Sequence, residues 1–281
     1  MLICRDARSM HAWSATKRAS GLRICCVPTM GALHAGHLAL IDEARRPGAV
    51  VVVSIFVNPL QFNRTDDFDT YPRPIDDDVE ACRAAGVDAV YAPTASVMYP
   101  QGFQTHVEPG ILADSLEGVH RPGHFRGVTT VVAKLFGAIQ PHVAVFGQKD
   151  FQQLTVIRRM VADLDMHIEI VGAATVRESD GLAISSRNQR LSADDRHAST
   201  CIIGALRLVE QAVADGEADA ARLVELARQR VTDEPRANLE YIEVVDPITL
   251  AAVAVVKEPA VMVAAVWFGD VRLIDNISLF P

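Results

Sequence analysis

The sequence predicts an α/β fold, a doubly wound parallel sheet followed by a smaller C-terminal α+β domain. Three observations predict it. Apolar runs rich in β-branched residues, such as 49–57 with Ser54 as its one interruption, fit strands buried on both faces, as in a parallel sheet. Such runs alternate with helical segments at intervals suited to crossovers. Past residue 176 the pattern changes to two amphipathic helical stretches and then longer strand-like runs. The domains are therefore expected over 1–176 and 177–281. With 281 residues, 49% of them hydrophobic, the chain can bury a large core.

The first unit of pattern is an apolar run at 24–27, the loop Pro28-Thr29-Met30-Gly31-Ala32-Leu33-His34-Ala35-Gly36-His37, and a helical stretch from 38. Gly31 and Gly36 let backbone approach a bulky ligand, and free N–H groups opening a helix suit an anion such as phosphate. His34 and His37 lie three apart, on one face of a helical turn, where both rings can donate to the same anion. They can equally cap a helix or sit at a domain contact. The strand at 49–57 ends in Asn58-Pro59-Leu60-Gln61-Phe62, where Pro59 stops the ladder. Ligands of such sheets bind beyond the carboxyl ends of strands, so Gln61 falls on the same edge as the two histidines.

An acidic, Pro-bearing loop follows, then a helix from Pro74 to about Gly86. Asp76, Asp77 and Asp78 complement its dipole, which explains them better than a metal cluster does. Residues 87–91 read as a strand, 92–123 as loop with short helical pieces, and 127–136 as a helix packed on the sheet. A strand at 141–146 then leads into Gly147-Gln148-Lys149-Asp150 and a helix over 151–163, repeating the opening theme. Lys149 offers phosphate a cation. Asp150 can cap the helix or help hold Mg2+. Gln152 and Gln153 point in different directions, so at most one faces a pocket. A last strand at 167–171 completes the sheet.

Residues 177–188 read as an irregular, hairpin-like loop containing Ser185, Ser186 and Arg187. It is either an ordinary polar turn or the second cationic, hydroxyl-rich loop that a triphosphate requires. Helices are expected at 193–214 and 219–231, and strands at 238–245 and 260–267.

Composition excludes several classes. Twenty-seven Lys and Arg stand against 35 Asp and Glu, a net charge of −8 with no basic tract, which argues against nucleic acid as a large partner. The five cysteines are odd in number and lack paired metal spacing; Cys25 and Cys26 fit small buried hydrophobes. Residues 1–13 lack a signal-peptide core, and the longest apolar run, 260–268, is far below the roughly 18 residues of a membrane span. No membrane association and a cytoplasmic location are expected.

The loop at 28–37 resembles the HIGH motif of the nucleotidylyl-transfer superfamily. Together with residues 58–62, Tyr71-Pro72-Arg73, His124-Phe125-Arg126-Gly127-Val128, 147–154, Ser185-Ser186-Arg187-Asn188 and Arg272-Leu273-Ile274-Asp275-Asn276, it makes the chain resemble the pantothenate synthetase (pantoate–β-alanine ligase) family from about Arg23 to Asn276. The resemblance implies a Rossmann-like first domain, a lid-like second one and a homodimer. It implies ATP, pantoate and β-alanine as substrates, Mg2+ as cofactor, and AMP and pyrophosphate released through a bound pantoyl adenylate. Met30, Gly31, Ala32, Leu33, His34, Ala35, Gly36 and His37 would receive ATP, with His37 as proton donor. Gly147, Gln148, Lys149 and Asp150 would form a second nucleotide segment, Val176 would border the adenosine, and Ile184, Ser185, Ser186 and Arg187 would form the loop corresponding to KMSKS. Gln61 would touch pantoate and β-alanine, and Gln153 would hold pantoate. His34, His37, Lys149 and Arg187 are the candidate catalytic residues; the metal ligands stay unassigned. Ala35 and Gln148 stand where the family often has Glu, and Ile184 where it often has Met. Rival readings are a cytidylyltransferase of the same superfamily and a catalytically silent nucleotide-binding module.

Overall fold

A computed structural model describes residues 1–63 and 65–280, with the backbone alone for 65–67. In chain order its elements are β1 (Leu2–Cys4), α1 (Ala7–Ala19), β2 (Arg23–Thr29), α2 (Ala35–Ala44), β3 (Ala49–Ile55), α3 (Thr65–Thr70), α4 (Ile75–Ala84), β4 (Ala89–Tyr91), α5 (Ala95–Met98), α6 (Glu117–His120), α7 (His124–Ile139), β5 (Val143–Gly147), α8 (Phe151–Asp163) and β6 (Glu169–Ala173). There follow α9 (Ala193–Ala198), α10 (Cys201–Ala214), α11 (Ala220–Thr232), β7 (Ala237–Val245), β8 (Ala260–Phe268) and β9 (Val271–Leu279). Short 3-10 turns occupy Pro59–Gln61, Ile111–Ala113 and Ser186–Arg190.

Six strands form one parallel sheet in the order β1-β4-β3-β2-β5-β6. From β2 the chain winds outward through β3 to β4, then returns to the other side of β2 for β5 and β6. The switch of direction lies between β2 and β5, the place where open α/β sheets leave a crevice beyond the strand ends. The segments emerging there are residues 30–37 and Gly147-Gln148. Burial explains the composition: Ile24, Cys25, Cys26, Val27, Val52, Val53, Val143, Ala144 and Val145 are fully inaccessible. The second sheet, β7-β8-β9, is antiparallel, and α10 and α11 supply Leu206, Val209, Leu223 and Ala227 to a core with Met262, Val266 and Phe268.

The chain divides into two compact units, Met1–Gln148 with Val156–Ala174, and Lys149–Thr155 with Thr175–Pro281. The division passes through α8.

Several elements depart from the sequence expectation. The edge strand β1, helix α1 and the whole of β9 are additional. A three-residue strand carries too little periodicity to read, and the charges alternating with apolar residues along β9 obscure it. The helix expected over 193–214 is two helices, because the Ser199 and Thr200 hydroxyls donate to the carbonyls of Arg196 and His197, both at 2.8 Å, in competition with the backbone ladder. The acidic loop contains α3; the side chains of Asp66 and Asp67 in that acidic run lie outside the described residues.

Candidate active site

The loop after β2 is a built structure. Gly31 has φ +81° and Ala32 φ +50°, both in the left-handed region, and a Cβ on Gly31 would stand 2.7 Å from an Asp78 oxygen. Asp78, 2% exposed, reaches up from the first turn of α4 and accepts the N–H groups of Ala32 at 2.9 Å and Leu33 at 2.7 Å. The carboxylate thus fixes the turn that leads into α2. It also occupies those two amides, which are therefore not open to an anion.

His34 is the N-cap of α2, and its N–H donates to His37 Nδ1 at 3.3 Å. The two rings stack with centroids 4.0 Å apart. A Cβ on Gly36 would press on the His34 ring at 3.0 Å, so glycine there gives the ring its place. The histidines thus cap the helix, and their rings stand together at its start.

Beyond β3, Asn58 is 1% exposed and Gln61 8%. Asn58 is held by groups whose polarity cannot change: its Oδ1 accepts Leu60 N–H at 3.2 Å, and its Nδ2 donates to the Gly127 carbonyl at 3.0 Å. Tyr99 Oη adds a hydrogen to Oδ1 at 2.7 Å, and burial pushes that phenol well above its usual range, so it stays a donor. Asn58 Nδ2 also donates to Gln61 Oε1 at 3.0 Å. The Gln61 amide is thereby oriented with Nε2 turned away from Asn58 and towards Met30 Sδ, at 3.2 Å. Thioether sulfur is a weak acceptor, and a hydroxyl or carboxylate oxygen is a better one. The Gln61 carbonyl accepts from Arg121 at 3.2 Å and from His124 Nδ1 at 2.8 Å; a carbonyl only accepts, so that ring nitrogen carries the hydrogen.

In the second unit Lys149 is half-buried, Asp150 is exposed just before α8, Gln152 is 4% exposed and Gln153 is half-buried. The Asp150 carbonyl accepts Leu154 N–H at 3.0 Å. Residues 176–184 form a hairpin: Arg177 pairs with Ala183, and Ile184 N–H donates to the Val176 carbonyl at 3.0 Å. Ser185 then caps the Ser186–Arg190 turn, its Oγ accepting Arg187 N–H at 3.3 Å.

A family model described as Pantoate-beta-alanine ligase matches residues 2–278. The chain is 49% identical over 276 residues to the pantothenate synthetase of Syntrophotalea carbinolica, covering 98% of each. It is 52% identical over 263 residues to that of Mycolicibacterium smegmatis, covering 93% of this chain and 82% of the other. The pantothenate synthetase structure from Thermus thermophilus superposes with a TM-score of 0.93 at 41% identity, covering all of both chains. The chain belongs to the pantoate–β-alanine ligase family. A ligase from Francisella tularensis, whose structure is of a complex with beta-gamma ATP and beta-alanine, superposes with a TM-score of 0.80 at 33% identity, covering 99% of this chain and 97% of the other.

As a pantoate–β-alanine ligase the chain is an enzyme that joins a carboxylate to an amine with ATP. All five cysteines are buried and free, and burial raises the thiols of Cys25 and Cys26, so neither is an available nucleophile. Asp78, Asn58, Tyr99 and His124 have structural roles around this ligase's candidate site that the sequence does not assign. The pattern offered a signal for Asn58, an Asx residue before Pro59 at a turn start. None marked Asp78 apart from its two acidic neighbours.

Proposed function

We propose that the enzyme makes pantothenate in two steps at one site. Pantoate carboxylate attacks the α-phosphorus of ATP, releasing pyrophosphate and leaving a bound pantoyl adenylate; the β-alanine amine then displaces AMP. A carboxylate needs this activation because its own leaving group would be oxide. The observation that carries the reading is the Gln61 amide, whose N–H is aimed by Asn58 from the same strand edge that carries the 30–37 loop. It offers a neutral donor to a hydroxy acid beside a loop suited to phosphate.

In this reading ATP is engaged by residues 30–37, 147–150, Val176 and 184–187, and pantoate by Gln61 and Gln153. Negative charge growing on the α-phosphoryl oxygens and on pyrophosphate meets Lys149, Arg187 and the rings of His34 and His37, with His37 as proton donor. Removal of one such donor typically slows catalysis by about a hundred to a thousandfold. Among the described residues no three or more His, Cys, Asp or Glu side chains gather into a metal cage. The exposed carboxylate of Asp150, just before α8, is the protein oxygen that would help hold Mg2+ carried on the nucleotide's phosphates. Bound there, the ion would neutralise phosphate charge. Residues 177–281 act as the lid-like part, the chain works as a homodimer, and its location is cytoplasmic. Among the described residues no helix is long and apolar enough to cross a membrane.

The test is AMP formation from ATP with Mg2+, pantoate and β-alanine, each omitted in turn. AMP and pantothenate appearing together only in the full mixture supports the reading. Pantothenate formed without AMP, or AMP released without pantoate, would overturn the adenylate route.

A further inference from the structure

The strand β9 carries Arg272-Leu273-Ile274-Asp275-Asn276, a segment for which neither sequence nor activity supplies a role. We propose that Asp275 and Asn276 are positioning residues that brace the two nucleotide segments of the second unit, the lysine segment beginning at Lys149 and the 176–187 hairpin and turn. The proposal rests on the reading of Lys149 and residues 184–187 as nucleotide-binding.

Asp275 has a side chain only 3% exposed and holds Arg177 by two prongs, Oδ2 to Nη1 at 2.6 Å and Oδ1 to Nη2 at 3.0 Å. A carboxylate so far removed from water depends on its partner. The same guanidinium donates to the carbonyls of Gly181 at 3.1 Å and Asn276 at 3.3 Å. Arg177 stands at the root of the hairpin, where its backbone pairs with Ala183 and the Val176 carbonyl accepts Ile184 N–H. One side chain of β9 therefore fixes both the root and the tip of the hairpin that feeds Ile184, Ser185, Ser186 and Arg187.

The next residue fixes the other segment. Asn276 N–H donates to Asp275 Oδ1 at 2.8 Å, and its Nδ2 donates to the Lys149 carbonyl at 2.9 Å. Successive strand side chains leave on opposite faces, so two adjacent residues can hold two different segments at a fixed separation. The anchor itself is rigid, since β9 pairs with β8 from Val271 to Leu279. A lysine is a compact charge on a flexible stem, and it meets phosphate only as reproducibly as its backbone is held.

The test compares Asn276→Ala, Lys149→Ala and the double variant in the full chain. Single-turnover pyrophosphate release at saturating pantoate, KM for ATP and for β-alanine, and the thermal midpoint are read for each. Asn276→Ala should slow pyrophosphate release about tenfold, leave KM for β-alanine within about twofold, and add less than about twofold when Lys149 is already Ala. Asn276→Asp, of equal size but turning an oxygen on the Lys149 carbonyl, should slow it at least as much, and serves as the second variant if Asn276→Ala fails to fold. Unchanged pyrophosphate release in the Asn276 variants, equal losses with and without Lys149, or parallel rises in both KM values would overturn the brace. If Lys149→Ala itself releases pyrophosphate at the normal rate, the nucleotide reading of Lys149 falls, and the proposal with it.

Discussion

Placing a buried carboxylate under a loop proposed to receive a triphosphate runs against simple electrostatics, and Asp78 shows what offsets it. Both of its oxygens are engaged by loop amides, and it sits in the first turn of α4, where the helix dipole favours negative charge. Asp78→Ala would remove the charged acceptor of two half-buried loop amides, on the order of 1–3 kcal/mol in all. It should also lower kcat/KM for ATP about 10- to 100-fold through misplacement of the loop; chemical denaturation and steady-state kinetics on the same preparation check both. His37→Ala should lower kcat at least about a hundredfold with the fold intact, and normal turnover would remove His37 from the chemistry. Gln61→Ala and Gln153→Ala should chiefly weaken pantoate use; unchanged pantoate kinetics in both would remove them from the pocket. Residue types were legible in the sequence where spacing carried the meaning, as with His34 and His37. Asp78 was not, because three successive acids satisfy one rule, the helix dipole, and only three-dimensional contact separates the one that reaches the loop.

Among the elements, α7 and the 3-10 turn Pro59–Gln61 meet backbone to backbone at Gly127. A Cβ there would lie 2.3 Å from the Leu60 carbonyl oxygen and 2.7 Å from Gln61 N, and neither atom can swing aside. Gly127→Ala should therefore cost about 1–3 kcal/mol and raise KM for pantoate by displacing Gln61. Gly137, in the same helix with nothing within 4 Å of its Cβ position, is the control. Gly137→Ala should leave pantoate kinetics unchanged and stabilise the protein by about 0.5–1 kcal/mol. Thermal unfolding and KM measured side by side distinguish contact from helix propensity. The long helix over 151–163 and the buried strands were legible because apolar periodicity persists over enough residues to be read. The turn at Ser199-Thr200 was not, since both residues lie within a continuous amphipathic pattern and only their hydroxyl bonds interrupt the helix.

On the scale of the whole molecule, the parallel sheet places the loops after β2 and β5 on either side of its switch point. The alternation of strands and helices predicts the doubly wound sheet; the strand order, and with it the place of the switch, comes from the pairing of segments distant in sequence. The second unit keeps its own core of α10, α11 and the three-stranded sheet. Its third strand escaped the sequence reading because alternation in β9 is built from Arg272, Asp275 and Asn276 as much as from apolar residues. Asp275 and Asn276 reflect the segments that β9 holds, which are distant in sequence, and Arg272 pairs with Glu240 of β7. Activation of pantoate as an adenylate is read most directly by turnover of pantoate labelled with 18O in its carboxylate, with the phosphorus products followed by mass spectrometry. Attack on the α-phosphorus followed by amine displacement moves one labelled oxygen into AMP for each pantothenate formed. Label found instead in pyrophosphate or phosphate, with none in AMP, would contradict the account.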